Sequence, residues 1–286
     1  MKIGSLKPPI LIIGMHRSGT TMISKYLDSI GIWSGPFKRK DVNNESRFFI
    51  KLNDWLLRET NASWDNPYNF KFIDESAQER LSLDVERYLN RFLGFRFFLG
   101  KNPFSSTFLW GWKDPRTTIT YSIWKKLFPK MKVVIVVRNP FDVANSLYVR
   151  NTKLKHNKIG FIKKIRRFFL FGRIGYQQST RMNELEEGIK LWMQYNECVV
   201  QIHQEMEENC LMFKYEDFLD DPRDHLKRIN SFLNVEDKTE TINEFISRLK
   251  HDRKNSFLKN EKLRGLFEKY KTYPLVKYFG YDEVEK

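Results

Sequence analysis

The sequence of 286 residues contains only two cysteines, Cys198 and Cys210. Two cysteines cannot build the disulfide framework of a small secreted protein, and they form no cluster with histidine of the kind that binds zinc. We expect two buried thiols within or beside regular elements. The chain also has no apolar run of the about 20 residues that a membrane-spanning helix needs, and the run from Pro9 to Ile13 is too short for a signal peptide. These absences predict a cytoplasmic protein.

No Gly/Ser/Pro-rich linker and no internal repeat divides the chain, which predicts a single domain over residues 1–286. A hydrophobic content of 41% is enough for a full core. Acidic residues are in deficit: the formal net charge is +15, which predicts attraction to anions such as nucleic acid, membrane surfaces, acidic polymers or phosphorylated small molecules. The segment that begins with Lys153 and ends with Arg173 contains eight Lys or Arg residues and no carboxylate.

Short apolar runs alternate with stretches of helical periodicity along the chain. The predicted strands are Ile10–Ile13, Leu109–Trp112, Val133–Val137 and Leu211–Lys214. The predicted helices are Thr20–Ser29, Ser46–Glu59, Glu75–Leu93, Thr117–Leu127, a helix from Pro140, and Glu184–Glu207. The run from Val133 to Val137 is apolar on both faces, as a central parallel strand requires. The pattern predicts an α/β fold with a doubly wound, mainly parallel sheet flanked by helices, and ligands at the carboxyl ends of its strands.

The segment from Gly14 to Thr21 has the frame of a phosphate-binding loop. Its two glycines are separated by four residues and open a helix, so that backbone N–H groups can point at an anion. Thr20 stands where loops for Mg-nucleoside triphosphates carry lysine, and Arg17 supplies the cation from inside the loop. We therefore expect Arg17, Ser18, Gly19, Thr20 and Thr21 to bind a nucleotide 5′-phosphate that does not carry a triphosphate tail.

Four segments resemble the sulfotransferase superfamily. PPILIIGMHRSGTT (8–21) is similar to its 5′-phosphosulfate loop, and VVIVVRNPFDVANSL (133–147) to its 3′-phosphate motif. GWKDPRTT (111–118) resembles a loop of many bacterial members, and FKYEDFLDDP (213–222) resembles the segment after a late strand. The resemblance implies a P-loop-like sulfotransferase fold and a metal-free transfer of a sulfuryl group from 3′-phosphoadenosine 5′-phosphosulfate (PAPS) to a hydroxyl or amine. It implies that Arg138 and Ser146 bind the 3′-phosphate and that Tyr215 contacts the nucleotide.

The resemblance leaves the C-terminal nucleotide clamp of the superfamily without a clear counterpart. The segment from Lys262 to Gly265 is a weak candidate that also fits a helix end.

Sulfuryl transfer needs a base for the acceptor proton and a cation at the leaving phosphate. Arg17 is the predicted cation. Glu45, in a polar loop where some relatives carry a catalytic glutamate, is the first candidate base, although Asn44 and Glu45 could instead cap the following helix. Asp114 is the second candidate, and its place beside Lys113 and Arg116 suits an orienting role better.

His16 is adjacent to Arg17 in the loop, and we interpret it as a solvated or packing residue. Trp33 and Trp64 fall in predicted loops, where they could stack on adenine or on a sugar ring.

Residues 151–180, which contain the basic segment, have three interpretations: a lid over an acceptor groove for an acidic saccharide, a basic helix on an anionic membrane surface, or a solvated helix.

The partners expected are the nucleotide donor and an acceptor, with a saccharide or glycoconjugate favoured. Nucleic acid is disfavoured because the excess charge is concentrated in one segment. A P-loop kinase of small molecules, against which Thr20 argues, and a binding-only sulfotransferase-like protein are the alternatives. The oligomeric state is not predicted.

Overall fold

The computed structural model describes residues 7–32, 43–91, 109–156, 179–250 and 253–283. The chain divides into two compact units. The first comprises Met1–Asn139 and Met193–Lys254, and the second comprises Pro140–Trp192 and Asn255–Lys286. The single domain over residues 1–286 stays a prediction.

Four parallel strands form the sheet of the first unit. They are β1 (Ile10–Ile13), β2 (Gly111–Lys113), β3 (Lys132–Val137) and β4 (Cys210–Lys214), in the spatial order β2-β1-β3-β4. β1 pairs with β2 on one side and with β3 on the other, so the chain connections diverge at its carboxyl end. Ligands of such sheets bind in the crevice at this point. The predicted α/β class and parallel sheet are confirmed.

The helices flank the sheet or build the second unit. In chain order they are α1 (Thr20–Ser29), α2 (Arg47–Arg58), α3 (Glu75–Asn90), α4 (Tyr121–Leu127), α5 (Pro140–His156), α6 (Leu185–Met206), α7 (Tyr215–Asp220), α8 (Pro222–Leu233), α9 (Thr239–Ser247), α10 (Glu261–Tyr270) and α11 (Pro274–Tyr278). Short 3₁₀ turns occupy Tyr68–Phe72, Pro115–Thr118, Arg181–Asn183, Glu207–Asn209 and Ser256–Lys259.

Alternate residues of the strands supply the two faces of the core, because successive side chains point to opposite sides of a sheet. One face packs Ile12 and Val134, which are register partners, against Tyr26 of α1 and Ile229 of α8. On the other face Trp112 stacks on Phe49 of α2 with ring centroids 3.7 Å apart and meets Trp124 of α4 edge-on at 4.8 Å. Burial on both faces explains why Val133–Val137 contains no polar residue.

The second unit has its own buried contacts. Asp142, in the first turn of α5, accepts hydrogen bonds from the Ser256 hydroxyl and the Phe257 N–H, both at 2.8 Å. Phe141 packs against Phe257 and Phe267. These contacts fasten the start of α5 to the residues that precede and form α10.

Two elements begin more than one residue away from their predicted start. β2 spans Gly111–Lys113 rather than Leu109–Trp112, because the Ile10 N–H bonds to the Trp110 carbonyl at 2.8 Å and pairs the strands from Gly111 onward. The helix predicted from Thr117 begins only at Tyr121, after the 3₁₀ turn Pro115–Thr118. Side-chain bonds to other elements hold this turn, and local helical periodicity does not report such bonds.

Candidate functional site

The loop between β1 and α1 has the backbone of an anion cradle. Gly14, Arg17 and Gly19 all have positive φ, at 130°, 73° and 102°. A positive φ suits glycine but strains a residue with a Cβ, and such strain concentrates at functional sites. Gly19 is the N-cap of α1, with no side-chain cap and no acidic residue in the first turn. The N–H groups of that turn, together with the helix dipole, are therefore suited to an anion.

Buried hydrogen bonds fix the shape of this loop. The Gly14 N–H donates to Thr118 Oγ1 at 3.0 Å, and the same hydroxyl donates back to the Gly14 carbonyl at 3.1 Å. The Ser18 hydroxyl and N–H both bond to the Met15 carbonyl, at 2.7 and 3.2 Å. Ser18 is fully buried, so its main contribution is to the loop itself. Thr21 Oγ1 donates to the carbonyl of Asn43 at 3.2 Å, and Thr20 is buried.

Arg138 lies at the carboxyl end of β3, directly beside this loop. Its Nη1 donates to the Arg17 carbonyl at 3.3 Å, and its Nη2 donates to the Arg253 carbonyl at 2.7 Å. The guanidinium carbon lies 4.6 Å from the centroid of the Tyr215 ring. Arg138 is buried, and its cation is thereby held in one orientation next to the phosphate loop.

Glu45 and Lys113 form a buried ion pair near the start of α2. Lys113 Nζ donates to Glu45 Oε1 at 2.7 Å and to the Asn43 carbonyl at 3.0 Å. Lys113 ends β2 and is only 2% exposed, and the Glu45 side chain is 10% exposed. Ser46, not Glu45, is the N-cap of α2, and it makes no side-chain cap bond. The capping interpretation of Glu45 is therefore wrong, and its carboxylate joins a cation at the carboxyl end of the sheet.

Asp114 is part of a closed hydrogen-bond network. Its Oδ1 accepts from the Arg116 N–H at 3.1 Å and from Arg116 Nη1 at 3.0 Å, while its Oδ2 accepts from Asn53 Nδ2 at 2.7 Å. Asn53 Oδ1 in turn accepts from the Thr120 hydroxyl and from Trp124 Nε1, at 2.7 and 2.8 Å. Asp114 and Asn53 are fully buried. Both Asp114 oxygens are engaged, which favours the orienting role over that of a base.

Arg116 joins the two carboxylate candidates to a third carboxylate. Its Nε lies 2.7 Å from Asp54 Oδ1, and its Nη1 lies 3.9 Å from Glu45 Oε2. Burial lowers the pKa of Arg116, but the neighbouring charges of Asp114, Asp54 and Glu45 outweigh burial and raise it above the ordinary value. Burial also raises the pKa of Asp54, and Arg116 offsets part of that increase. Arg116 thus remains a cation that orders the acidic groups around it.

A family model described as the sulfotransferase family matches residues 8–239. The chain belongs to the sulfotransferase family. The matched range contains the phosphate loop, Glu45, Lys113, Asp114, Arg138 and Tyr215. Family and fold support sulfuryl transfer as the reaction class of this enzyme.

Solved sulfotransferase structures resemble this enzyme at low sequence identity. The sulfotransferase domain from the curacin biosynthetic pathway matches with a TM-score of 0.52 and 18% identity, over 98% of this chain and 99% of that one. Sulfotransferase STF9 from Mycobacterium avium matches with a TM-score of 0.47 and 17% identity, over 96% and 77%. Mouse sulfotransferase SULT7A1, solved with PAP, matches with a TM-score of 0.38 and 14% identity, over 90% and 70%. The first of these supports the same fold. No curated protein sequence matches the chain.

Sequence reasoning does not single out three residues of this sulfotransferase site. Lys113 is next to Asp114 in the sequence, yet its Nζ bonds to Glu45. Asn53 and Asp54 lie on α2. The spacing of Asn53 and Asp54 from Glu45 gives no local signal. The one signal is that Asn53 is a polar residue on the face that is otherwise formed by apolar residues such as Leu52 and Leu56.

His16 is a packing residue in this sulfotransferase and not a solvated one. Its ring meets the rings of Trp64 and Tyr195 edge-on, with centroids 5.0 and 6.0 Å away. Tyr195 donates its hydroxyl to the Trp64 carbonyl at 2.7 Å. The contact anchors the phosphate loop to α6 and to the loop after α2. Stacking of Trp64 on a ligand stays a prediction, and Trp33 lies outside the described residues.

Several predicted features of this sulfotransferase fall in the second unit or outside the described residues. Ser146 lies on α5 in the second unit, and its joint action with Arg138 stays a prediction. Residues 151–156 continue α5, whereas 157–178, which form most of the predicted lid and basic segment, lie outside the described residues. The segment from Lys262 to Gly265 lies at the N-terminal end of α10, which agrees with the helix-end interpretation, and its role as a nucleotide clamp stays a prediction.

Both cysteines of this sulfotransferase are partly buried free thiols, on α6 and at the start of β4. Burial raises the pKa of Cys198 to about 11 and that of Cys210 to about 12. Within the described ranges, no helix is both long and apolar enough to cross a membrane. The same residues contain no group of His, Cys, Asp or Glu that could hold a metal ion.

Proposed function

We propose that this sulfotransferase takes its sulfuryl group from PAPS and passes it to a hydroxyl or amine of an acceptor, with a saccharide or glycoconjugate as the acceptor class. The observation that supports PAPS as the donor is the contact between Arg138 and the phosphate loop. Arg138 donates to the carbonyl of Arg17, so the cation after β3 lies against the loop after β1. A nucleotide with a 5′-phosphosulfate and a 3′-phosphate offers one anion to each.

The donor set of the loop suits a phosphosulfate. The uncapped start of α1 presents backbone N–H groups, and Arg17 offers a guanidinium fork that matches phosphate and sulfate oxygens. Of the predicted binding residues, Gly19, Thr20 and Thr21 would act through the helix start, while Ser18 would act by shaping the loop. Arg138 would bind the 3′-phosphate, and Ser146 is the predicted second ligand of that phosphate.

The reaction balances without a covalent enzyme intermediate. The acceptor oxygen or nitrogen forms a bond to sulfur, the bond from sulfur to the 5′-phosphate oxygen breaks, and the acceptor proton passes to a base. The phosphate leaves with the electron pair of the broken bond. Arg17 and the N–H groups of α1 would stabilise the charge that develops on it.

Glu45 is the better of the two candidate bases. Asp114 is fully buried and uses both carboxylate oxygens in hydrogen bonds, so it cannot readily accept an acceptor proton. Glu45 keeps some exposure, and its Oε2 is 3.9 Å from the nearest Arg116 nitrogen. Lys113, bound to Glu45 Oε1, would hold the carboxylate in place and add positive charge near the transferred group.

The remaining parts of the proposal rest on the sequence. They are a single domain, a lid formed by 151–180 over the acceptor, and a cytoplasmic location with contact to a membrane surface through 153–173 as the alternative for that segment. The lid is favoured because it follows the helix that carries Ser146.

Calorimetry with nucleotides tests the donor. The full chain is titrated with 3′-phosphoadenosine 5′-phosphate (PAP) and with ATP, each with and without Mg²⁺. We expect tight binding of PAP that does not need Mg²⁺ and weaker binding of ATP. A preference for Mg-ATP would favour a small-molecule kinase and would contradict the proposal.

Transfer of labelled sulfate from PAPS to a panel of acceptors tests the reaction. Saccharides, phenols and aliphatic alcohols are compared at equal concentration. Turnover with at least one class distinguishes an enzyme from a binding-only protein, and turnover confined to phenols or aliphatic alcohols would reject the saccharide assignment. Arg17→Ala should abolish turnover, while Arg138→Ala should mainly weaken binding of PAP.

A further inference from the structure

Tyr215 lies between the phosphate loop and Arg138 and contacts both. The Arg138 guanidinium stacks on its ring at 4.6 Å from the centroid. On the loop side, a Cβ added to Gly19 would lie 2.5 Å from the Tyr215 Cδ2. The ring is therefore in direct contact with the backbone of the residue that opens α1. Tyr215 is only 7% exposed, which leaves little of the ring for contact with a ligand.

The pairing of β3 with β4 places Arg138 next to Tyr215. β3 and β4 pair in parallel with Val137 opposite Lys214, so Arg138 and Tyr215 leave the sheet side by side. The next residue strengthens the junction: Glu216 Oε1 accepts from the Asn139 N–H at 3.1 Å, and Glu216 is buried. The ends of the two strands are thus fastened to each other where Arg138 emerges.

The contacts of Arg138 are arranged so that the Tyr215 ring supports the guanidinium from one face. Its in-plane donors reach two backbone carbonyls, of Arg17 and of Arg253. A guanidinium on an aromatic face is held by the ring quadrupole and by contact area. Loss of the ring would remove this support from one face of the guanidinium, while the bonds to the two backbone carbonyls could remain.

We propose that Tyr215 is a positioning residue for the 3′-phosphate: it sets the guanidinium of Arg138 against the phosphate loop so that both anions of one nucleotide can be bound together. The proposal rests on the proposed donor. It differs from direct contact between Tyr215 and the nucleotide, because the ring acts through Arg138 and Gly19, and the tyrosine hydroxyl is not needed.

The test measures how strongly the protein prefers a ligand that carries a 3′-phosphate. Dissociation constants for PAP and for adenosine 5′-monophosphate are measured by calorimetry, and their ratio gives the discrimination due to the 3′-phosphate. The variants are Tyr215→Leu, Tyr215→Phe and Arg138→Ala. Phe218→Leu is the matched control, because Phe218 is a buried aromatic on the same helix that packs on Phe213.

We expect Tyr215→Leu to lower the discrimination about tenfold, as loss of a well-oriented bond to a charged group would. Affinity for the monophosphate should change less. Tyr215→Phe should keep the wild-type discrimination, since it keeps the ring. Phe218→Leu should lower thermal stability but leave the discrimination unchanged.

Three outcomes would contradict the positioning role of Tyr215 or the proposed donor. If Arg138→Ala lowers the discrimination and Tyr215→Leu does not, the positioning role is wrong and the donor proposal stands. If Arg138→Ala itself has no effect, the two-phosphate donor is wrong. If Tyr215→Phe loses the discrimination, the hydroxyl contacts the ligand and direct binding replaces positioning. Tyr215→Met, closer in volume to the wild type, answers the same question if the leucine variant does not fold.

Discussion

Among single residues, Glu45 gives the clearest test of the reaction, because it is the proposed base for the acceptor proton. Glu45→Gln keeps the shape of the side chain but removes its ability to accept a proton. We expect kcat to fall about 10²- to 10⁴-fold, the usual contribution of a positioned base, with the dissociation constant for PAP changed little. Steady-state transfer and calorimetry on the same preparation measure both.

Asp54→Asn is the matched control for Glu45. Asp54 also contacts Arg116 and is more exposed than Glu45, with 33% of its side chain accessible against 10%. We expect a smaller loss of kcat than for Glu45→Gln. The reverse order of the two losses would transfer the role of base to Asp54.

A second prediction concerns His225 and the way in which the free energy of unfolding depends on pH. Burial lowers its pKa below the ordinary value; Arg228 lowers it further, and Asp217, Asp224 and Asp221 partly oppose this. The unfolded chain therefore takes up a proton near the ordinary pKa of about 6.5 while the folded chain resists it. Stability should be retained above that pH and decrease as the pH falls through it toward the folded pKa.

Chemical unfolding at about pH 7.5 and about pH 5.5 measures this decrease. His225→Gln has no group that titrates in this range, so its free energy of unfolding should decrease less than that of the wild type. Equal decreases in the two proteins would assign the acid sensitivity to other groups.

At the scale of elements, the junction between the phosphate loop and α1 depends on Gly19. Gly19→Ala would place a Cβ 2.5 Å from the Tyr215 ring at a residue with φ of 102°. We expect loss of PAP binding together with lower thermal stability. Gly31→Ala is the control for backbone strain alone, because Gly31 has φ of 85° but no atom within 4 Å of the added Cβ. If Gly31→Ala and Gly19→Ala affected PAP binding equally, the contact with Tyr215 would not be the cause.

The hydrogen bonds of Asn53 join α2, the Pro115–Thr118 turn and the start of α4. Asn53→Ala would leave the Asp114 carboxylate, the Thr120 hydroxyl and the Trp124 N–H with a lost partner in a buried site. We expect a loss of about 2–4 kcal/mol in the free energy of unfolding. The exposed Asn69→Ala should change it by less than about 0.5 kcal/mol. A loss below about 1 kcal/mol for Asn53→Ala would mean that the network contributes little.

At the scale of the whole molecule, the net charge of +15 predicts an effect of salt on catalysis. PAPS is an anion, and long-range attraction that raises its encounter rate is screened once the Debye length falls from about 10 Å at 0.1 M salt to about 3 Å at 1 M. We expect kcat/KM for PAPS to fall several-fold over this range, while kcat changes less. A kcat/KM that does not depend on salt would show that the charge does not steer the donor.

The parallel sheet and the phosphate loop could be predicted because their causes are local. Val133–Val137 is apolar at every position, and only a strand covered on both faces needs that pattern. Gly14 and Gly19 stand at positions where φ is positive, and four residues between them predict the loop without any distant contact. The sequence was less informative about the turn at Pro115–Thr118, whose bonds to Gly14, Trp112 and Asn53 come from residues far along the chain or on other elements.

The fold class, the anion loop and the family resemblance follow from the sequence alone, because strand patterning and glycine spacing are properties of neighbouring residues. Which side chains meet at the carboxyl ends of the strands depends on the folded chain. It pairs Lys113 with Glu45, 68 positions apart in the chain, and it stacks Arg138 on Tyr215 across the register of β3 and β4. Such partners depend on strand order and register, which no short stretch of sequence contains.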